Sequence, residues 1–125
     1  MRHILILSLI VLSAALTPAL AASSLQGQWR GSGVASHRNT TNAVRCRVSF
    51  QRLSTTSFSV SSQCATETDR YDVTGRVAAS GGNRYSGPVH GQGVNGTAVI
   101  VQRGNRLSVT VTSRRGSVKL SLSRL

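Results

Sequence analysis

From Gln28 to the C-terminus, apolar and polar residues alternate with a period of two, in eight segments separated by clusters of Gly, Asn and Ser. Successive side chains of a β-strand point to opposite faces, so this period is typical of strands with one buried and one solvated face. The buried sets, in order, are Trp29, Gly31, Gly33; Val44, Cys46, Val48, Phe50; Phe58, Val60, Ser62, Cys64; Tyr71, Val73, Gly75, Val77; Tyr85, Gly87, Val89; Val94, Gly96, Ala98, Ile100; Leu107, Val109, Val111; and Val118, Leu120, Leu122. The residues between them are mostly Ser, Thr and Arg.

Eight short strands joined by tight turns are expected to close on themselves. The pattern therefore predicts an all-β fold, an eight-stranded antiparallel up-and-down β-barrel. Four aromatic residues are assigned to its core: Trp29, Phe50, Phe58 and Tyr71. In so narrow a barrel we expect side chains to fill the interior, which leaves the outer face and the loops to carry function.

The N-terminal segment has the features of a secretory signal peptide. Arg2 precedes an apolar run over 4–12, and Ala19-Leu20-Ala21 follows as a small-x-small cleavage pattern. The apolar run is shorter than the ~20 residues that a membrane-spanning helix needs. We therefore predict that residues 1–22 are removed, and that 23–125 form a single periplasmic or secreted domain with no transmembrane segment.

Two cysteines remain in the exported chain, and an even number in an oxidising compartment predicts a disulfide. A hairpin that turns at about Thr55 would place Phe50 opposite Val60. The same register would place Cys46 opposite Cys64 on the inner face. A Cys46–Cys64 disulfide is therefore predicted. A metal site would require more ligands than these two cysteines and the few histidines supply.

The charge of the chain is strongly unbalanced. It has 15 basic and 3 acidic residues, and removing Arg2 with the signal peptide leaves 14 and 3, a net charge of +11. Such an excess of cations favours a polyanionic partner. Nucleic acid is disfavoured, because the aromatic side chains that would stack on bases face inward and the protein is exported. We expect anionic lipid or polysaccharide to contact the outward cations, which are Arg45, Arg47, Arg76, Arg106 and Lys119. A GC-rich genome is an alternative source of the arginine bias.

Nothing in the sequence predicts catalysis, a metal or a cofactor. The carboxylates Glu67, Asp69 and Asp72 fall in one short stretch, without a second group of acids that could complete a calcium site or a hydrolase. His37 is expected in the longest loop, and His90 in a glycine-flanked turn. We therefore expect a non-enzymatic protein.

The segment Leu25-Gln26-Gly27-Gln28-Trp29 opens the first strand. Its Gly-x-Trp resembles the start of lipocalin-like and avidin-like (calycin-like) barrels, a resemblance that implies that Trp29 closes the barrel floor. The Trp-x-Gly-x-Gly start also resembles that of short exported proteobacterial proteins of unassigned function. Transport of the lipocalin kind is not expected, because it needs a cavity lined by large apolar groups.

The same opening, together with Cys46 and Cys64, is similar to that of small periplasmic inhibitors of secreted metalloproteases. This resemblance implies that an N-terminal arm of Ser23, Ser24 and Leu25 enters a protease cleft. The leading hypothesis from the sequence is a barrel that binds anionic envelope or surface components through its Arg-rich outer face. The alternative is a protein inhibitor of a protease.

Overall fold

The computed structural model describes residues 24–125, which form a closed β-barrel whose eight strands follow one another in sequence order. Every neighbouring pair is antiparallel, including the first and last strands. The predicted up-and-down barrel is therefore confirmed. The strands are β1 (Gly27–His37), β2 (Thr40–Arg52), β3 (Ser57–Ala65), β4 (Arg70–Gly81), β5 (Arg84–Gly91), β6 (Val94–Arg103), β7 (Arg106–Ser113) and β8 (Gly116–Arg124).

Two of the sequence predictions, the signal peptide over 1–22 and the role of Ser23, lie outside the described residues. Within residues 24–125, no helix is long and apolar enough to cross a membrane.

The buried apolar residues of the strands are those that the alternation placed on the inner face. The buried apolar residues are Leu25, Trp29, Val44, Cys46, Val48, Phe50, Phe58, Val77, Val89, Ala98, Ile100, Leu107, Val109, Leu120 and Leu122. Among the aromatic residues assigned to the core, Trp29, Phe50 and Phe58 are buried, whereas Tyr71 is only half-buried. The alternation therefore identified the inner face of every strand.

The first hairpin is longer than the sequence indicated. His37 was expected in the longest loop, but it is the last residue of β1 and lies opposite Thr40 across a two-residue turn. His90 likewise lies within β5 and not in a turn. Both faces of the strands are polar near this turn, so the alternation fades there. The backbone ladder continues because it needs no apolar side chain.

Closure of the barrel depends on two glycines of β1. A Cβ atom on Gly31 would lie 1.8 Å from the carbonyl oxygen of Ser121, and one on Gly33 would lie 1.7 Å from that of Lys119. Real Cβ atoms do not approach backbone oxygens so closely, so β8 can reach this position only because both residues lack a side chain.

The predicted disulfide is confirmed, as is the register from which it was derived. Phe50 lies opposite Val60 and Cys46 lies opposite Cys64, with the two sulfur atoms bonded. The bond links β2 to β3 and closes a loop with a sequence separation of 18. In the chain-entropy model, closing a loop of this length stabilises the fold by about 3 kcal/mol.

Replacing both Cys46 and Cys64 by Ala is expected to lower the free energy of unfolding by about 2–5 kcal/mol, because the unfolded chain regains the entropy that the disulfide removes. Urea denaturation of the oxidised wild type and the double variant measures the difference. The reduced wild type is the matched control and should lose a similar amount. Equal stability of all three forms would contradict a stabilising disulfide.

Candidate functional site

The interior of the barrel holds a cavity of about 470 Å³ that is lined by residues from all eight strands. It opens at the end of the barrel where the connections over 38–39, 66–69, 92–93 and 114–115 lie; we call this end the mouth. The volume falls within the ~300–1,000 Å³ of typical small-molecule sites. The deep lining is mostly apolar and includes Val48, Phe50, Val60, Val89, Ala98, Ile100, Val109 and Leu120.

This cavity contradicts the expectation of a filled interior. The bulky side chains Trp29, Phe58, Leu107 and Leu122 are all fully or almost fully buried, and none of them lines the cavity. They pack the opposite end, which we call the floor. Toward the mouth the inward residues are mainly Val, Ala and Ser, whose side chains are too short to meet across the barrel axis. A lipocalin-like cavity was not expected from the sequence, but these small inward residues leave the space that forms one.

The floor is closed by Trp29, as the calycin-like resemblance implied. The Trp29 indole Nε1 donates a hydrogen bond to the carbonyl oxygen of Leu25 at 2.9 Å. The Arg124 guanidinium lies over the indole ring, 4.2 Å from its centroid, at a distance suited to a cation–π interaction. Arg124 is not among the residues predicted from the sequence, although continuing the alternation of β8 by one step beyond Leu122 places it on the inner face.

The chain that precedes β1 is part of the floor. Leu25 is fully buried. The carbonyl oxygen of Ser24 accepts hydrogen bonds from the Arg124 guanidinium at 2.7 Å and from the Gln102 side-chain amide at 3.4 Å. In this arrangement Ser24 and Leu25 are held against the barrel and do not project from it as an arm.

The mouth is polar, and one side of it carries a compact hydrogen-bonded loop. The Asp69 carboxylate accepts hydrogen bonds from the Tyr71 hydroxyl at 3.3 Å and from the Thr68 hydroxyl at 3.2 Å. Desolvation, together with the negative charge and hydrogen bond of Asp69, raises the pKa of Tyr71 above its ordinary 10.0. Tyr71 also lines the cavity. Because its pKa is raised, it presents a neutral phenol there at physiological pH.

A second candidate site lies on the outer wall, where three arginines and one serine form a row across four strands. Arg106 lies opposite Ser123, Ser123 opposite Arg30, and Arg30 opposite Arg47, so the row crosses β7, β8, β1 and β2. Arg45 lies two residues from Arg47 on the same face of β2. We call Arg30, Arg45, Arg47 and Arg106 the basic surface. Like charges directly opposite each other on neighbouring strands are destabilising, so the Arg30–Arg47 pair opposes folding slightly.

The structure brings some of the predicted anion-binding residues together and separates others. Arg45, Arg47 and Arg106 belong to the basic surface, and Lys119 lies on the adjacent β8 opposite Val34. Arg76 lies on β4, opposite Ser59 of β3, and is not part of this group. Arg30 was not among the predicted residues, because only the β1–β2 register shows that it lies opposite Arg47.

Among residues 24–125, no group of three or more His, Cys, Asp or Glu side chains is placed to hold a metal ion. The two candidate sites are an apolar cavity and a cationic wall.

No known protein family matches the sequence, and no characterised protein matches it either. Several solved structures share the fold. A redesigned β-barrel is 16% identical with a TM-score of 0.69, over 83% of this chain and 95% of its own. The redesigned barrel mFAP1, bound to DFHBI, is 10% identical with a TM-score of 0.68, over 87% of this chain and 100% of its own. Rv2717c from M. tuberculosis is 16% identical with a TM-score of 0.61, over 88% of this chain and 99% of its own.

These similarities define the class of the chain as a closed eight-stranded barrel, in agreement with the calycin-like expectation. At such low identity they establish the fold alone. None of them supports the resemblance to proteobacterial proteins or to metalloprotease inhibitors.

Replacing Asp69 by Asn is expected to lower the pKa of Tyr71, because the change removes the negative charge and leaves the burial of the phenol. Ultraviolet titration of tyrosinate in a Tyr85→Phe background reports this pKa. A raised pKa contributes stability that is present below pH 10.0 and is lost as the pH rises through the pKa of the folded state. The matched control is Asp72→Asn, and an equal effect of the two variants would contradict a specific contact with Asp69.

Proposed function

We propose that this protein is a non-enzymatic, exported binding protein that holds a small apolar molecule in the barrel cavity. The cavity itself is the observation that carries the proposal, because it is open at the mouth and its deep wall is apolar. Transfer of apolar surface from water into such a site is favourable by about 25 cal/mol per Å². Export is consistent with the Cys46–Cys64 disulfide, since disulfides persist in oxidising compartments.

The rigidity of the wall supports this proposal. Each strand is paired on both sides, and a disulfide links two of the strands that line the cavity. A preformed site loses little conformational entropy when a ligand enters. The structural neighbour mFAP1, a barrel bound to DFHBI, is a precedent for a small ligand in a protein with this fold.

Replacing Val111 by Phe is expected to weaken binding of the neutral apolar dye Nile red by roughly ten-fold or more, because the larger side chain occupies cavity space. Val111 lines the cavity and is half-buried opposite Ala98 and Val118. Fluorescence titration measures the affinity, and circular dichroism checks that the variant is folded.

Thr112→Phe is the matched control, because Thr112 is the next residue of β7 and is exposed on the outer face. This variant should bind Nile red as the wild type does. Equal affinities of all three proteins would place the dye outside the cavity, and absence of binding to the wild type would contradict the proposed function.

We further propose that the basic surface contacts anionic envelope or surface components. The Arg30–Arg47 pair favours this second function, because two cations held opposite each other are relieved when a phosphate or carboxylate lies between them. Arginine forms bidentate hydrogen bonds with such groups. The basic surface and the cavity lie on opposite faces of the strands, so the two proposed functions use different residues.

Replacing Arg30 and Arg47 by Ser is expected to weaken binding to phosphatidylglycerol vesicles more than the same change at Arg76 and Arg84. Both double variants lose the same charge, but only the first removes the cross-strand pair. Cosedimentation at low and high salt measures binding, and added salt should weaken it because exposed charges are screened within ~10 Å at 0.1 M. Phosphatidylcholine vesicles, which carry no net charge, control for charge-independent binding, and an acidic polysaccharide shows whether lipid or glycan is the preferred anion. Equal losses in the two double variants would show that only net charge matters.

The inhibitor hypothesis has less support. Its arm would need Leu25 to be available to a protease, but Leu25 is buried in the floor. Deleting the residues before Gly27 would also remove this core side chain, so loss of activity in such a deletion would not isolate an arm. If the protein inhibits a protease through a loop, the contact must be made by residues other than Ser24 and Leu25.

A further inference from the structure

One cation belongs to the cavity and not to the outer wall. Arg115, in the β7–β8 turn, is the only charged side chain among the residues that line the cavity within 24–125. Its guanidinium extends toward the neighbouring β5–β6 turn, where a Cβ atom on Gly93 would lie 3.7 Å from Nη1. The side chain therefore lies along the rim of the mouth.

The backbone of the turn that carries Arg115 is hydrogen-bonded, whereas its guanidinium has no partner among residues 24–125. The Arg115 backbone N–H donates to the Ser113 hydroxyl at 3.3 Å, and its carbonyl oxygen accepts a hydrogen bond from His37 Nδ1. Within the described part of the chain, none of the hydrogen bonds or ion pairs involves the Arg115 guanidinium. Its donors are therefore available to a ligand in the cavity.

The acidic residues lie on the other side of the mouth. All three carboxylates of the chain, Glu67, Asp69 and Asp72, belong to the β3–β4 connection or to the start of β4. The order of strands around the barrel places the β7–β8 turn opposite that connection. Arg38 lies in the adjacent β1–β2 turn, so Arg115 and Arg38 make this side of the rim cationic.

We propose that the ligand is an amphipathic molecule with an apolar body and one carboxylate, and that Arg115 binds the carboxylate at the mouth. This inference rests on the proposed cavity function, because the apolar body must first fit the barrel. The planar guanidinium matches a carboxylate through two parallel hydrogen bonds, which a hydroxyl cannot accept in the same way and an ammonium group repels.

Isothermal titration with decanoic acid, decanol and decylamine tests the proposal, because the three probes share an alkyl chain and differ in the head group. The wild type is expected to bind decanoic acid roughly ten-fold more tightly than decanol, as charge-assisted hydrogen bonds contribute more than neutral ones. Decylamine should bind most weakly. Arg115→Gln should reduce the affinity for decanoic acid to about that for decanol and leave decanol unchanged.

Arg114→Gln is the matched control, because Arg114 is adjacent, exposed and absent from the cavity lining. It should keep the preference for the acid. Equal binding of the acid and the alcohol by the wild type, or equal losses in both variants, would overturn the role of Arg115 while leaving the cavity function intact. Absence of binding for all three probes, together with absence of Nile red binding, would overturn the cavity function itself.

Discussion

In the closed barrel β1 is paired on one side with β2 and on the other with β8, so every strand has a hydrogen-bonded neighbour at both edges. Gly31 and Gly33 permit the last of these pairings, because the β8 backbone occupies the space that a Cβ atom would take. The cavity, the floor and the row of arginines all depend on this pairing. Without it the cavity would be an open apolar sheet face, and Arg124 would not reach Trp29.

The interior divides into a packed floor and an open half. The floor combines large apolar side chains with buried polar contacts: Trp29 donates to Leu25, and Arg124 and Gln102 bind the Ser24 carbonyl. Satisfying these polar groups matters, because a buried donor or acceptor without a partner is costly. Because the floor is well packed, the half of the barrel near the mouth can contain a cavity. There the disulfide and the backbone hydrogen bonds between strands hold the wall in place.

Charge is distributed according to strand face and barrel end. The outward positions of β1, β2 and β7 carry the basic surface, while the mouth carries Arg115 on one side and the acidic residues on the other. An overall excess of cations would attract anions to any exposed region, but these two groups differ in what they can bind. A cationic wall suits an extended anionic surface, whereas a cation that lines the rim of an apolar cavity suits an amphipathic molecule.

The sequence by itself determined the strands, their inner faces, the β2–β3 register and the disulfide, because these depend on local alternation and on tight connections. It did not determine the cavity. Whether Val, Ala and Ser fill a barrel depends on the distance across it, which is set by strand number and tilt and not by any one segment. Arg30 and Arg47 likewise look like two separate surface residues until the register places them opposite each other. Arg115 looks like an ordinary turn residue, and only closure of the barrel sets it at the rim of a cavity, because the wall beside it is built from strands distant in sequence.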